Sequence, residues 1–108
     1  MKEGSDSMEN QVIEDMADVC HKEWMEWSKN ISKELNLVID QLKKDIEFSK
    51  ENGVENKEAI ELVEKLESRL ERWGALWIPY DELSEEMKDA DRKYALKIFD
   101  IAKESFKE

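Results

Sequence analysis

The sequence predicts an all-α fold, a small bundle of three to four helices with a long helical hairpin in the middle. Along most of the chain, apolar residues recur every three or four positions, which is the spacing of one face of an α-helix. The 108 residues include only three glycines and one proline, and strand-and-turn folds use many more of these residues. Charged residues make up 42% of the chain and are spread along the polar helix faces.

The length of the chain predicts one domain. Residues 1–8 are mostly polar and are expected to be disordered, and residues 9–108 are expected to form a single helical domain. No stretch approaches the roughly 20 apolar residues of a membrane span, and the first residues do not have the pattern of a signal peptide. Cys20 is the only cysteine, which is typical of a reducing compartment. We therefore expect a cytoplasmic protein, in the host cell if the source is viral.

The first helix is predicted to begin near Glu9 and to run at least to Ser32. Its apolar stripe then continues in steps of three and four as far as Ile46. Asn30, Ser32 and Asn36 are weak helix formers. The sequence therefore leaves open whether this is one long helix or two helices with a break near residues 30–36.

The remaining helices are delimited by capping residues. Gly53 can adopt the left-handed conformation that ends a helix, and Asn56 is a favoured N-cap for a second helix that ends near Gly74. Pro79 interrupts helical geometry, and Ser84 caps a last helix that runs to about residue 105. The predicted apolar face of the last helix consists of Met87, Ala90, Tyr94, Ile98 and Ile101, widened by Ala95, Phe99, Ala102 and Phe106. We expect the first and last helices to pack antiparallel or crossed through Trp24, Trp27, Tyr94 and Ile98.

The net charge of −11 argues against binding to DNA, RNA or an anionic membrane, because the field of the protein repels phosphate. It does not forbid a local basic pocket. Residues Ile31–Leu70 have apolar stripes on both arms of the predicted hairpin, and the rest of the chain is barely large enough to cover them. This region predicts a homodimer or a higher oligomer.

The segment between the last two predicted helices is the most distinctive part of the sequence. Trp73, Trp77, Pro79 and Tyr80 crowd a short helix break, and Trp and Tyr are preferred where an aromatic ring must keep one polar edge. Such a cluster either fills the core or lines a pocket, and the sequence leaves both open. The residues expected to contact a small anionic ligand are His21, Arg72, Trp73, Trp77, Tyr80 and Arg92.

Asp91 lies beside the predicted apolar stripe of the last helix, and a buried carboxylate needs a partner. Arg69, Arg72 and Arg92 are candidates, so one interpretation is a polar cluster that fixes the connector. We assign structural roles to Trp24, Trp27, Pro79 and Asp91. His21 is either a polar group at the edge of the core or a ligand contact.

No catalytic residues, metal ligands or cofactor are predicted. Cys20 and His21 are adjacent on a helix and point about 100° apart, and the chain has no second Cys or His to complete a zinc site. The acidic residues of the second helix alternate with basic ones at helical spacing, which is typical of a solvated face. We therefore expect a protein that is not an enzyme.

Two segments resemble a family of short, mostly uncharacterised proteins of bacteriophages and prophages, similar in pattern to the ryanodine-receptor repeat (RyR) domain family. The segments are MADVCHKEWMEWSK and LERWGALWIPYDELSEEMKDADRKYALKIF. The positions that match the pattern are His21, Trp24, Trp27, Arg72, Trp73, Pro79, Tyr80, Leu83, Glu85, Asp91 and Arg92. The middle of the chain, roughly Ile31 to Ser68, departs from it. The resemblance implies a small binding or accessory module, and no catalytic activity is established for such proteins.

These observations predict a phage-type binding protein. The first hypothesis is that aromatic rings stack a small anionic, nucleotide-like ligand while arginines neutralise its charge. In a phage, such a protein would sequester a host immune signal and act in counter-defence. The alternative is an acidic inhibitor or nucleic-acid mimic that binds a host protein.

Overall fold

The computed structural model describes residues 2–106, and for residues 2–6 it describes the backbone alone. In this part of the chain every regular element is helical: α1 (Lys2–Glu51), α2 (Lys57–Gly74), a 3-10 turn (Tyr80–Glu82) and α3 (Glu85–Ser105). The all-α class and the helical hairpin are confirmed. The sequence predicts disorder for residues 1–8. Residue 1 and the side chains of residues 2–6 lie outside the described part of the chain, so this stays a prediction.

The first helix is continuous through the region where the sequence allowed a break. Ser28 and Ser32 are buried inside α1, and the Ser32 hydroxyl donates a 2.6 Å hydrogen bond to the Ser28 carbonyl. The Ser32 hydroxyl therefore has a partner one turn earlier in the helix when it is removed from water. Burial of both serines within α1 accompanies the unbroken helix.

The first helix begins at Lys2 and not near Glu9, whereas the other helix ends lie where the capping residues predicted them. Gly53 has a φ of +73°, the left-handed conformation that only glycine adopts without strain. The Asn56 side chain accepts a hydrogen bond from the Ala59 N–H, and the Ser84 hydroxyl accepts one from the Met87 N–H. Both are N-cap contacts that satisfy a free donor of the first helical turn.

The chain forms two compact units. Unit 1 contains Met1–Met25 and Ile78–Glu108, and unit 2 contains Glu26–Trp77. The boundary falls inside α1, so each unit consists of one half of this helix and one other helix. The prediction of a single helical domain over residues 9–108 stays a prediction.

In unit 1, the first part of α1 packs antiparallel to α3. The ion pairs show the direction, because Lys103 lies 3.4 Å from Glu9 near one end, whereas Arg92 pairs with Glu14 further along. Ala17 and Ala95 are fully buried. Small side chains at these positions let two helix backbones approach closely.

The predicted core face of α3 is wrong at its centre and right along one edge, where Ala95, Phe99 and Ala102 are among the less exposed residues. Tyr94, Ile98 and Ile101 are 61%, 49% and 68% exposed. The less exposed stripe instead consists of Lys88, Asp91, Arg92, Ala95, Phe99 and Ala102. A shift of one residue turns a helix by about 100°. The orientation of α3 is explained by its polar residues, because Asp91 and Arg92 have their charged partners on α1. The helix therefore turns this side toward α1 and leaves the more apolar stripe in contact with water.

In unit 2, the second part of α1 and α2 form the predicted hairpin. Lys43 pairs with Glu67 at 3.5 Å, and the buried apolar residues are Ile39, Ala59 and Val63. Trp27, which the sequence placed in the packing layer, is 54% exposed. Within the described residues, no helix is both long and apolar enough to cross a bilayer.

Candidate functional site

His21 occupies the centre of a buried polar cluster in unit 1. It is 3% exposed, and its Nε2 lies 2.7 Å from the carbonyl oxygen of Ile78. Because a carbonyl only accepts hydrogen bonds, Nε2 must carry the proton and donate. This bond joins Ile78, in the segment that follows α2, to α1. It uses one of the two nitrogens of the His21 ring.

The other ring nitrogen, Nδ1, lies 3.6 Å from the Asp91 carboxylate. This distance is longer than a hydrogen bond but within range of an electrostatic contact. Burial raises the pKa of Asp91, and the charge of His21 opposes this rise. Asp91 is thus the carboxyl group that faces the buried ring of His21.

Glu14 connects two of the predicted site residues. The Tyr80 hydroxyl donates a 2.9 Å hydrogen bond to one Glu14 oxygen, and the Arg92 Nε donates to the other. The hydrogen bond from Arg92 lowers the pKa of Glu14 despite the opposing effect of burial. Burial, together with the Glu14 carboxylate, raises the pKa of Tyr80 to about 12. Tyr80 is therefore a protonated donor at neutral pH.

The Arg92 guanidinium is surrounded by three carboxylates. Besides Glu14, its Nη1 donates to Glu85 and to Asp89, each at 2.8 Å. These hydrogen bonds, the one to Glu14 first, raise the pKa of Arg92. A ligand anion at Arg92 would have to displace or approach anionic neighbours, so the positive charge is already balanced within the protein.

Trp24 and Pro79, for which the sequence predicts structural roles, lie at the edge of the polar cluster around His21. The Trp24 ring stacks on the His21 ring with centroids 6.0 Å apart and an interplanar angle of 19°. Pro79 precedes the 3-10 turn with extended backbone angles, and its carbonyl accepts the Glu82 N–H. Pro79 thus fixes the turn in which Tyr80 becomes buried.

A second cluster lies in unit 2 and consists of three tryptophans. The Trp27 and Trp73 rings are 5.8 Å apart and tilted by 52°. The Trp77 indole N–H donates a 2.9 Å hydrogen bond to the Ser28 hydroxyl. The Lys29 ammonium lies 5.8 Å from the Trp77 ring centroid, within range of a cation–π interaction. We call Trp27, Trp73 and Trp77 the tryptophan cluster.

Arg72 has its hydrogen-bond partner on its own helix, α2. It is exposed, and its Nη1 donates to the Ser68 hydroxyl one turn earlier on α2 at 2.8 Å. Together with Ser68 it lines a shallow depression of about 390 Å³ on α2, whose other lining residues are Glu61, Glu64, Lys65 and Arg69. The lining has two acidic and three basic side chains, with the acids toward the start of α2 and the bases toward its end.

The predicted ligand-binding residues therefore divide between the units. His21, Tyr80 and Arg92 come together in unit 1, where the His21 and Tyr80 ring centroids are 6.5 Å apart and Tyr80 and Arg92 share Glu14. Trp73 and Trp77 belong to unit 2, as does Arg72. Asp91, assigned a structural role, is the partner of His21.

Sequence reasoning missed two residues that organise these clusters, Glu14 and Ser28. A signal existed for Glu14, because it is in helical phase with Ala17, His21 and Trp24 and is thus an acid on the buried stripe of α1. Ser28 is in the same phase, four residues after Trp24, so its place on the buried stripe could also have been predicted. What the sequence does not indicate is that its hydroxyl accepts a hydrogen bond from the indole of Trp77.

The chemistry available at these clusters is limited. Both nitrogens of His21 have partners within the protein, so a role as a general base would require one contact to break. Burial and the charge of Asp91 raise the pKa of the Cys20 thiol, which lowers the fraction of reactive thiolate. Among the described residues, no three His, Cys, Asp or Glu side chains are grouped closely enough to hold a metal ion.

Comparisons with protein-family models, with curated proteins and with solved structures found no match to this chain. The resemblance to the phage and RyR-type pattern therefore stays a prediction, and the function is argued from the residues alone.

Proposed function

We propose that this chain is a non-enzymatic binding protein whose target is another protein, contacted by an exposed helix face of unit 2. This is the alternative that the acidic composition favoured. Its main support is that large apolar side chains stand in water on a regular helical face, whereas His21, Tyr80 and Arg92 have their polar groups engaged inside unit 1.

The surface in question is the outer face of α1 in unit 2, defined by Trp27, Leu37, Val38 and Phe48. These side chains are 54%, 71%, 46% and 68% exposed. Trp27 and Val38, like Leu37 and Phe48, are 11 residues apart, which is close to three turns of an α-helix. Each pair therefore lies in line along the helix, and the two lines are about 100° apart, with Trp27 at the edge where it also contacts Trp73 of α2. Exposed apolar surfaces of this kind mark interaction sites.

The charges beside the outer face indicate the chemistry of the partner. Glu34 and Asp45 are exposed on one side of this face, and Lys33 and Lys44 are exposed one turn before Leu37 and Phe48. Charges of both signs therefore flank the apolar residues, and the net charge of −11 favours a partner that presents an apolar groove with a predominantly basic rim. Trp is enriched among the residues that dominate binding energies, so Trp27 is the expected anchor.

The test is to capture proteins that bind this chain from a bacterial host lysate and then to measure the Kd with purified components. We expect a captured protein whose Kd rises at least about tenfold with Trp27→Ala or Phe48→Ala, which corresponds to roughly 1.4 kcal/mol. Leu62→Ala is the matched control, because Leu62 is 44% exposed but lies on α2. Affinity should also fall with salt, as expected for charge complementarity. Equal binding by all three variants would exclude the outer face.

The small-ligand hypothesis has one observation in its favour, the tryptophan cluster with Lys29 above Trp77. Aromatic rings next to a cation suit a planar anion such as a nucleotide. Thermal unfolding against a panel of nucleotides tests it, because a ligand that binds the folded state raises Tm. A nucleotide that stabilises the parent protein but not Lys29→Ala would favour the ligand over the protein partner. A role in counter-defence is proposed only from the resemblance to phage proteins, whether the target is a protein or a small ligand.

A further inference from the structure

Unit 1 has a second apolar surface that its own helices leave uncovered. Between α1 and α3 lies a groove of about 310 Å³, lined by Val12, Asp15, Met16, Val19, Cys20 and Ile98. Val12 and Val19 are 40% and 56% exposed, and Ile98 is 49% exposed. Five of the six lining side chains are uncharged. We call this surface the α1/α3 groove.

The exposed stripe of α3 extends this surface. Met87, Tyr94, Ile98 and Ile101 follow one another in steps of seven, four and three, so they lie on one side of the helix. Each is at least 41% exposed. A pair of helices is one layer, and stable domains stack a second layer on the apolar side. In unit 1 the described residues include four buried apolar side chains, Ala17, Tyr80, Leu83 and Ala95, and two of these are alanines.

We propose that a second copy of this chain covers the α1/α3 groove, so that two helix pairs stack as a four-helix layer around a two-fold axis. Such an interface is isologous, which means that the same surface of both protomers is buried. The proposal is independent of the outer face of unit 2, since the groove is formed only by residues of unit 1.

Charge complementarity argues for a second copy as the occupant. Residues 9–26 of α1 contain six acidic residues and one lysine, and among them Asp15 and Glu23 are exposed on the groove side. On α3, Lys93 and Lys97 are exposed beside the apolar stripe, and the Lys97 ammonium lies 5.5 Å from the Tyr94 ring centroid. Three exposed acids share this edge: Asp100 lies three residues after Lys97, and Glu86 and Glu104 each lie seven residues, about two turns, from the nearer lysine.

A two-fold axis parallel to the helices sets α1 of one protomer opposite α3 of the other. Within a protomer Glu9 lies level with Lys103 and His21 with Asp91, and this axis keeps those levels. Asp15 therefore lies level with Lys97 of the partner protomer, and the apolar stripes meet beside this pair. Local attraction of this kind fixes the register of two acidic chains.

The experiment is light scattering on purified protein at micromolar concentrations with four variants. We expect a mass of about twice 12.8 kDa for the parent. Ile98→Lys and Val19→Lys should weaken association by at least about 100-fold, because each places a charge in the apolar interface. Both sites are about half exposed, so circular dichroism should show unchanged helicity. Leu37→Lys and Phe48→Lys, on the outer face of unit 2, should leave the mass doubled.

Cys20 provides a second measurement in the same samples, since it lines the groove. Labelling of its thiol by a maleimide should slow as the parent protein associates with rising concentration, and should become independent of concentration in Ile98→Lys. A parent protein that remains at 12.8 kDa overturns the proposal. So does dissociation by Leu37→Lys with no effect of Ile98→Lys, which would place the interface in residues 31–70 instead.

Discussion

At the scale of single residues, the polar cluster of unit 1 depends on matching donors with acceptors. Glu14 accepts from Tyr80 and Arg92, and His21 donates to Ile78 while it faces Asp91. Among the described residues, no buried side-chain nitrogen or oxygen lacks a hydrogen-bond partner. A cluster of this kind is stable only while every member has its partner, because an unpaired buried polar group costs about 1–3 kcal/mol.

The contact between His21 and Asp91 gives the first prediction. In Asp91→Asn the side-chain amide can donate to Nδ1 of His21, so the free energy of unfolding should remain within about 0.5 kcal/mol of the parent. Asp91→Ala removes every partner of Nδ1 and should lower it by about 1–3 kcal/mol. Chemical denaturation at neutral pH measures both. A loss in Asp91→Asn as large as in Asp91→Ala would show that the negative charge, and not the hydrogen bond, is required.

The second prediction concerns alkaline pH. Because the pKa of Tyr80 is raised from 10.0 to about 12 in the folded protein, its contribution to stability is fully present below pH 10. This contribution is lost as the pH rises through about 12. Tyr80→Phe should therefore be less stable than the parent at neutral pH by about 1 kcal/mol, and its stability should depend less on pH in this window.

Tyr94→Phe is the control for the alkaline experiment, since the chain has two tyrosines and Tyr94 is exposed. In this variant, ultraviolet difference absorption reports the ionisation of Tyr80 alone. Ionisation of Tyr80 at an ordinary tyrosine pKa would contradict the buried, Glu14-bonded hydroxyl.

At the scale of elements, the helix ends are determined locally, whereas the buried face of a helix is determined by its partner. The Asn56 and Ser84 caps and the Gly53 turn involve residues close in sequence. The buried stripe of α3 instead follows the positions of Glu14 and His21 on α1. The more apolar stripe stays exposed, and this exposure is the basis of the proposed self-association.

Two glycines give a matched test of this local control. At Gly53, with a φ of +73° and no atom within 4 Å of an added Cβ, alanine meets only backbone strain and should cost about 1–2 kcal/mol. Gly74 is helical, and its added Cβ would lie 4.0 Å from the Trp77 ring, an ordinary contact. Gly74→Ala should stabilise by about 0.5–1 kcal/mol. Thermal denaturation should shift Tm in opposite directions, and a shared sign would contradict the conformations described.

At the scale of the whole molecule, the dominant property is the net charge of −11. Like charges repel one another in the folded chain, and this repulsion lowers stability and slows association between copies. Salt shortens the range of the repulsion to about 10 Å at 0.1 M. The proposed functions both use this charge, either to attract a basic partner or to restrict self-association to the one surface where opposite charges meet.

The salt dependence of stability follows from this property. We expect Tm to rise by about 2–5 °C between low salt and 0.5 M sodium chloride, because screening relieves more repulsion than it weakens attraction. The double variant Glu47→Gln/Glu55→Gln, at two exposed acids, should start at a higher Tm and respond less to salt. A fall of Tm with salt would mean that ion pairs such as those of Arg92 dominate over the net repulsion.

The sequence by itself determined the helical class, the hairpin and the capped helix ends, because periodicity and capping act over a few residues. It also predicted that Asp91 needs a partner. The tertiary structure decided that the partner is His21, that Glu14 joins Tyr80 to Arg92, and that α3 turns its polar stripe toward α1. These contacts join residues more than 60 positions apart, and no local pattern records which distant side chain will satisfy a buried charge. Hydrophobic spacing placed Tyr94 and Ile98 in the core, but the energy of pairing buried polar groups outweighed it.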